Sequence, residues 1–432
     1  MNVTRRNFLQ TSAVVAASAA QVRSANERIQ VGVIGTGARS HELMRWLSFV
    51  PGTQVTGVVD AYSGRVERAI DRTKAKPYRD YREIISDKSI DAVMIVTPDH
   101  WHKNMVIDAV NAGKDVYCEK PLTYRSSEGI EIQQAAKKTG RIVQVGSQGV
   151  SSLIHQKAKE MIKSGKLGKI TMIRAAYNRN TASGAWIYPI PPDASPKTVN
   201  WDMFLGPAPK QPYSNERFFR WRCYDDYSGG IATDLFVHLC TTIHHLMDAK
   251  VPSKVVGLGQ LYRWKESREV PDTINAILEY PEQFVVNLSS TFNNQTAAET
   301  SFDFLGTEGT LSLAGGLKFF PQSAVEDNRW IAESWPRSME EAYYRDPKIQ
   351  ESEMPGMQRP KLVAQVEEYG QMGLDTTVLH LGNWIDSIRT RKPHWEDAAA
   401  GHHAAACAHM VNLAAKKQRM VEWDFTKDDI KG

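Results

Sequence analysis

The sequence predicts an α/β protein in which a doubly wound parallel sheet is followed by a second α/β domain with a large, mostly antiparallel sheet. Up to residue 145, short β-branched runs alternate with longer amphipathic segments, which is typical of parallel strands covered by helices. After residue 149, strand-like segments follow one another with few helices between them, which favours antiparallel pairing. The length of 432 residues is enough for two domains with sizeable cores.

The first domain is predicted over residues 28–150 and alternates strands with helices along its whole length. Its strands are predicted over residues 29–34, 54–59, 92–97, 115–118 and 142–145. Its helices are predicted over residues 40–49, 63–74, 101–112 and 127–139. In this β-α order the carboxyl ends of the strands share one edge of the sheet, where such folds bind ligands.

The second domain is predicted over residues 151–375 and begins with a helix at 151–164. Its strands are predicted over residues 170–178, 255–264, 272–280, 283–291, 300–306 and 310–312. The aromatic, proline-rich stretch 185–227 has little periodicity and predicts long loops, which in a compact domain usually carry function. Residues 376–432 are expected to pack back on the body as helices at 376–390 and 397–417, followed by a short strand at 420–424.

Residues 1–25 are predicted to be a signal peptide that is not part of the fold. A paired-arginine head, Thr4-Arg5-Arg6-Asn7-Phe8-Leu9, precedes a short apolar stretch and the small-residue run Ala17-Ser18-Ala19. This pattern predicts twin-arginine export, so we expect a periplasmic protein that the twin-arginine machinery carries in folded form. The alternative is an accidental arginine pair on a frayed terminus. The apolar stretch is too short for a stable membrane anchor, which needs about 20 residues.

The charge and cysteine patterns exclude several classes of protein. Lysine and arginine number 53 against 49 aspartates and glutamates, and basic residues are scattered among acidic ones, which disfavours a nucleic-acid partner. The histidine pairs at 244–245 and 402–403, and His409, lack a carboxylate or cysteine at a spacing that completes a metal site, so no metal is predicted. The cysteines are expected to be buried free thiols, although an oxidising destination would permit a disulfide. They are Cys118, Cys223, Cys240 and Cys407.

A glycine-rich turn directly after the first predicted strand indicates a dinucleotide site. In Gly35-Thr36-Gly37-Ala38-Arg39-Ser40, the first glycine permits a tight turn and the second lets backbone N–H groups approach a pyrophosphate at a helix N-terminus. Ser40 stands where a glycine or alanine is usual. Asp60 ends the second strand and can accept hydrogen bonds from ribose hydroxyls, which favours NAD over NADP. Arg65 leaves NADP open, and a glycine turn without nucleotide is the structural alternative.

Two further segments end predicted strands at the same edge of the sheet. The segment from Thr97 to His102 ends the strand at 92–97, and we expect Thr97, Pro98 and His102 to contact the cofactor there. Asp99 in this segment could also cap a helix. Glu119-Lys120-Pro121 follows the next strand, and we expect Glu119 and Lys120 to contact the cofactor. A lysine in this position can bind both a cofactor and a substrate hydroxyl. A surface ion pair between Lys120 and Glu119 is the alternative.

Asp234 and His238 are the candidates for acid–base chemistry. They stand four residues apart after Gly229-Gly230, which places them on one face of a predicted helix. A carboxylate one turn away can orient an imidazole and raise its basicity, which suits abstraction of a hydroxyl proton during hydride transfer. An ordinary helix-surface pair is the alternative.

The motifs above, in this order and spacing, resemble the Gfo/Idh/MocA oxidoreductase family over residues 29 to about 425. The resemblance implies an NAD-binding Rossmann domain, a second domain whose large sheet serves substrate and oligomer contacts, a homo-oligomer, and action on sugars or polyols. By motif, Lys120 and His238 are then the catalytic pair, and Asp234 is the partner of His238. The run 199–207 and the leader resemble the exported, sugar-related branch of the family.

The predicted function is therefore oxidation of a sugar or polyol hydroxyl by an exported enzyme with a tightly bound NAD that is recycled in the site. A redox-neutral, NAD-dependent glycoside hydrolase or lyase is the first alternative, and a non-catalytic sugar-binding protein is the second. In the loop at 185–227, Trp201, Arg222 and Tyr227 could stack on or hydrogen-bond a sugar ring. Aromatic packing beneath the loop is an equal alternative for each.

Overall fold

The computed structural model describes residues 28–295, 300–322, 328–352, 366–370 and 373–432. The leader at residues 1–25 lies outside the described residues, so the twin-arginine signal and export remain predictions. Within the described residues, no helix has the length and apolar character needed to cross a membrane.

The N-terminal domain is built on a six-stranded parallel sheet in the order β3-β2-β1-β4-β5-β6. The strands are β1 Ile29–Ile34, β2 Thr53–Val59, β3 Lys76–Pro77, β4 Ala92–Ile95, β5 Asp115–Cys118 and β6 Val143–Val145. The helices are α1 Ala38–Leu47, α2 Ser63–Thr73, α3 Tyr81–Ser86, α4 His102–Asn111 and α5 Glu128–Thr139. The predicted doubly wound sheet is confirmed, with bounds within two residues. Elements β3 and α3 were not predicted because they are too short to show a period.

The second domain carries a ten-stranded sheet in the order β14-β13-β12-β11-β7-β10-β9-β8-β15-β16. Strands β7 and β10 pair in parallel, and the other pairs are antiparallel, as predicted. The strands are β7 Ile170–Tyr177, β8 Lys254–Gln260, β9 Thr273–Tyr280, β10 Phe284–Thr291, β11 Thr300–Gly306, β12 Gly309–Ser312, β13 Leu317–Pro321, β14 Glu367–Tyr369, β15 Val421–Asp424 and β16 Asp429–Ile430.

Strand β8 ends four residues before the predicted end at residue 264. The cause is the side chain of Asp272, which directly precedes the neighbouring strand β9. The fully buried carboxylate of Asp272 accepts hydrogen bonds from the backbone N–H groups of Tyr262, Arg263 and Trp264, at 2.7 to 3.2 Å. These groups are therefore not available for a strand ladder, and the chain turns there.

Nine α-helices belong to the described part of the chain after residue 150. They are α6 Leu153–Lys163, α7 Trp201–Leu205, α8 Asn215–Phe219, α9 Val237–Met247, α10 Arg329–Ala332, α11 Arg337–Arg345, α12 Pro347–Ser352, α13 Thr376–Thr390 and α14 Ala398–Lys417. Among them, α9 and α14 pack together beside strand β8 of the large sheet. The short helices α7 and α8 lie in the stretch predicted as loop, and the side chains of Asn200 and Ser214 cap them.

The two C-terminal helices make different contacts with the two domains. Helix α13 packs Leu381, Trp384 and Ile385 into the core beneath the parallel sheet, beside Val31 and Leu43. Helix α14 packs on α9 and on strand β8 of the large sheet, and also on α5 and β6 of the N-terminal domain. Helix α14 therefore bridges the two domains.

All four cysteines are free and buried, in agreement with the prediction. Cys240 on α9 and Cys407 on α14 are neighbours, with 2.8 Å between their sulfur atoms.

Candidate functional site

The glycine-rich turn has the geometry that a pyrophosphate requires. Gly35 has a φ of +84°, and a Cβ there would lie 2.6 Å from the carbonyl oxygen of Val96, so only glycine fits. Helix α1 begins after Gly37 with no side-chain cap, which leaves first-turn N–H groups for an anion. Within the described residues, the buried hydroxyls of Thr36 and Ser40 have no hydrogen-bond partner. The turn thus presents unsatisfied donors, as a phosphate site should.

Asp60 is fixed at the end of β2 by the turn itself. Its two carboxylate oxygens accept hydrogen bonds from the backbone N–H groups of Thr36, at 2.7 Å, and Tyr62, at 2.9 Å. Each oxygen keeps a lone pair that a ribose hydroxyl can use. The guanidinium of Arg65 lies 3.7 Å from the same carboxylate, so this nearby cation is already paired. This arrangement fits the adenosine ribose of NAD.

A cleft of about 340 Å³ runs along this edge of the sheet. The N-terminal domain lines it with the predicted cofactor residues Gly35, Gly37, Ala38, Arg39, Asp60, Thr97, Pro98, Glu119 and Lys120. The second domain covers it with an aromatic wall formed by Tyr188, Phe218, Phe219 and Trp221. Such a wall would shield a bound dinucleotide from water.

Arg39 links the turn to the other strand ends. Its Nε donates to the Glu119 carboxylate at 3.0 Å, and a terminal nitrogen donates to the side-chain oxygen of Gln148 at 3.3 Å. Glu119 therefore pairs with Arg39, and the alternative of a surface pair between Glu119 and Lys120 is not what the structure shows.

His102 supports the cleft from behind and does not line it. Its ring is buried, with Nδ1 at 2.6 Å from the carbonyl oxygen of Pro121 and Nε2 at 3.0 Å from that of Thr97. Both ring nitrogens thus face backbone, which corrects the prediction that His102 contacts the cofactor. Its role is to hold the ends of two neighbouring strands in register.

Lys120 and Asp234 join the two domains at the inner end of the cleft. The Lys120 ammonium donates to the Asp234 carboxylate at 2.9 Å and to the Asp234 carbonyl oxygen at 2.8 Å. Arg222 donates its Nε to the same carboxylate oxygen at 3.0 Å. The Asp234 side chain is 13% exposed, and although burial opposes ionisation, Lys120 and Arg222 hold the pKa of its carboxyl far below the usual range. The carboxylate is therefore charged at any physiological pH.

The predicted partnership of Asp234 with His238 is wrong in this structure. Residues Ala232–Phe236 form one π-helical turn, which widens the helix just before α9 begins. The extra width changes the angular offset between residues four apart, and the Asp234 carboxylate faces Lys120 and Arg222. Among the described residues, no hydrogen bond joins it to His238.

His238 lines a second cavity, whose lining combines polar residues with the apolar side chains of Leu239, Phe302 and Leu313. Ser147, Gly149, His155 and Thr242 contribute to that lining. Burial lowers the pKa of His238 to about 3, and the charge of Lys120 acts in the same direction, while Asp234 opposes the shift without reversing it. Asp234 does raise the pKa of this imidazole, as expected, but desolvation outweighs the carboxylate and leaves the imidazole less basic than a free one. The imidazole is neutral and can accept a proton.

Asp99 lies among the charged residues Lys120, Arg222 and Asp234, and the sequence did not indicate this position. It is buried, and burial raises the pKa of its carboxyl to about 7 against the opposing charge of Arg222. Asp234 raises this pKa and Lys120 lowers it. No side-chain capping bond is present at the turn that precedes α4, so Asp99 is not the helix cap that its position suggested.

Of the three substrate candidates, the structure places only Arg222 in the cleft. The indole of Trp201 donates to the carbonyl oxygen of Gln211 at 2.7 Å and stacks on Phe204, with 5.1 Å between ring centroids. Tyr227 is fully buried against Phe204. The packing alternative therefore describes Trp201 and Tyr227 better than contact with a sugar.

Comparison with known proteins places this geometry in a family. Residues 29–147 match the model of an oxidoreductase family with an NAD-binding Rossmann fold, and residues 196–312 match the Gfo/Idh/MocA C-terminal domain. The inositol 2-dehydrogenase of Salmonella typhimurium is 33% identical over 158 residues, 35% of this chain and 47% of that protein. The scyllo-inositol 2-dehydrogenase (NAD(+)) of Bacillus subtilis is 33% identical over 33% of this chain and 42% of that protein. The chain thus spans about half of the length of these relatives.

Solved structures share the whole fold at low identity. A levoglucosan dehydrogenase in complex with NADH and levoglucosan has a TM-score of 0.68 at 18% identity, covering 91% of this chain and 99% of that one. The aldose-aldose oxidoreductase of Caulobacter crescentus has a TM-score of 0.65 at 16% identity over the same shares. With both family domains matched in order, the chain belongs to the Gfo/Idh/MocA oxidoreductase family and begins its fold with that family's NAD-binding Rossmann domain.

Proposed function

We propose that this protein is an NAD-dependent oxidoreductase that acts on a hydroxyl group of a sugar or polyol. One observation carries the proposal. Lys120, at the inner end of the NAD cleft, is held by Asp234 of the second domain, and a neutral His238 follows one turn later. A hydroxyl placed between these residues would meet a proton donor and a proton acceptor beside the cleft.

In the proposed reaction, the charged and neutral residues of the site have different roles. Bound NAD supplies the hydride acceptor. Lys120 donates a hydrogen bond to the reacting hydroxyl oxygen, and Asp234 with Arg222 fixes the direction of that ammonium. His238 accepts the hydroxyl proton at Nδ1 or Nε2, since burial keeps its ring neutral at pH 7. Tyr188 and Trp221 exclude water from the cleft.

The substrate class rests on the relatives. Two relatives in different bacteria are named inositol 2-dehydrogenases, and a protein of the same fold is named levoglucosan dehydrogenase. These substrates are cyclic and carry several hydroxyl groups. The cavity that His238 lines also contains the hydroxyl groups of Ser147, Thr241 and Thr242, which can hydrogen-bond such a molecule.

We further propose export with the cofactor in place, and a homo-oligomer. The paired arginines at residues 5 and 6 support export. The outer face of the large sheet supports self-association: Val256, Leu258 and Ile277 are 42%, 67% and 53% exposed there. A second copy would cover this apolar face.

The test is to release the cofactor from purified protein, identify it, and screen sugars and polyols for spectral reduction of the bound form. Reduction by a sugar, with an oxidised sugar as product, supports the proposal. A cleaved glycoside without net oxidation would favour the redox-neutral hydrolase or lyase. Absence of nicotinamide and of hydride exchange with every sugar would favour a binding protein and overturn the proposal.

A further inference from the structure

Apart from the residues that line the cleft, the fold brings together a set of metal-ligand side chains that the sequence separates. His402 and His403 are adjacent on α14, and Asp428 lies in the turn between β15 and β16. One ligand atom from each lies within 4.8 Å of the others. We propose that these residues bind one divalent transition-metal ion, with Zn²⁺ as the best match.

The distances suit tetrahedral coordination. The Nε2 atom of His403 lies 3.1 Å from one carboxylate oxygen of Asp428, and the Nε2 atom of His402 lies 3.7 Å from the other. Zn–N and Zn–O bonds of about 2.0 to 2.1 Å place neighbouring ligand atoms roughly 3.3 Å apart. An ion at the centre thus needs only small side-chain movements. The carbonyl oxygen of Asp428, 3.2 Å from His402 Nε2, or a water molecule can supply the fourth ligand.

The donor set selects the type of ion. Two imidazoles and one carboxylate suit Zn²⁺ and its transition-metal neighbours, whereas Ca²⁺ and Mg²⁺ prefer oxygen ligands alone. The His402 side chain is fully buried, while that of Asp428 is 41% exposed, which gives the ion a path from solvent.

The backbone conformation at Asp428 and the packing around His402 hold the two parts of the proposed metal site together. Asp428 has a φ of +54°, a left-handed conformation that directs its carboxylate back onto α14. On the other side, the His402 ring packs on Gly129 of α5, where a Cβ would collide with the ring. A bound ion would therefore fasten the β15–β16 turn to a helix that itself contacts the NAD-binding domain.

The experiment uses untagged protein with its cofactor, stripped of metal by a chelator that is then removed. Titration with Zn²⁺ should show one equivalent bound and a rise in the thermal midpoint, and Co²⁺ should give the absorption bands of a four-coordinate site. His403→Gln and Asp428→Asn should each weaken binding about tenfold or more, and asparagine tolerates the left-handed backbone. Turnover is not the readout.

His394→Gln is the matched control. His394 lies 3.4 Å from Asp386 on the surface, a histidine–aspartate pair outside the cluster, so this change should leave Zn²⁺ affinity unchanged. The proposal is overturned if the wild type binds no Zn²⁺, or if both cluster variants bind it as tightly as the wild type. His403 and Asp428 would then form an ordinary hydrogen bond.

Discussion

Replacing Asp234 with asparagine tests whether its carboxylate holds the two domains together. Lys120 and Asp234 are 11% and 13% exposed, and Arg222 is 25% exposed, so water screens these charges little. Removing one partner of a buried pair typically costs about 3–5 kcal/mol, because the other charge is left unpaired. The asparagine amide would keep the volume and one acceptor. We therefore expect a loss of about 3 kcal/mol in the free energy of unfolding, at the lower end of that range.

Urea unfolding of the purified variants measures this loss, and two comparisons sharpen it. Glu160→Gln removes a partner of Lys157 in an exposed pair, where the expected cost is below about 1 kcal/mol. Combining Lys120→Met with Asp234→Asn should cost less than the sum of the single changes, since no ammonium then remains unpaired. Equal costs for the buried and exposed variants, or strict additivity in the double variant, would refute the reasoning.

Four further outcomes are expected. His238→Ala should lower turnover by roughly a hundredfold or more while the cofactor content stays intact, as single-turnover and cofactor assays would show. The cofactor released from the wild type should be NAD, because the Asp60 carboxylate repels a 2′-phosphate; recovery of NADP would contradict this. Lysines in place of Arg5 and Arg6 should leave active protein in the cytoplasm, as cell fractionation would reveal. The pKa of Asp99 is raised to about 7 in the fold, so the free energy of unfolding should fall as pH rises from about 4 to 7, and Asp99→Asn should remove this fall in urea midpoints measured across pH.

The sequence predicted the first domain well because its signals are local. The β-branched runs, the turn at Gly35 and the acidic residue at Asp60 each depend on a few adjacent residues, and the structure places all of them at one edge of a parallel sheet. The same holds for Lys120, which directly follows a strand. A residue that directly follows a strand takes its position from that strand, so distant parts of the chain have little influence on where its side chain lies.

The errors concern residues whose positions depend on distant contacts. We predicted that Asp234 and His238 share one helix face because residues four apart do so in a regular α-helix. A single π-helical turn at this point makes the helix irregular, so the prediction fails. Asp99 joins the charged cluster only because Arg222, far along the chain, approaches it. The proposed metal site depends on the same kind of contact, because Asp428 lies beside His402 and His403 only in the folded chain.

The same tertiary contacts bear on how the cofactor stays in place. The cleft has one wall from each domain, and Lys120, which lines it, forms an ion pair with Asp234 of the second domain. Opening the cleft for exchange would separate these charges in a poorly solvated site and would also pull aromatic side chains such as Phe218 and Phe219 from the cleft. Both costs oppose release, and slow release is what an enzyme needs when no free nicotinamide surrounds it. The ion pair that would orient Lys120 in the proposed reaction would thus also help to retain the cofactor.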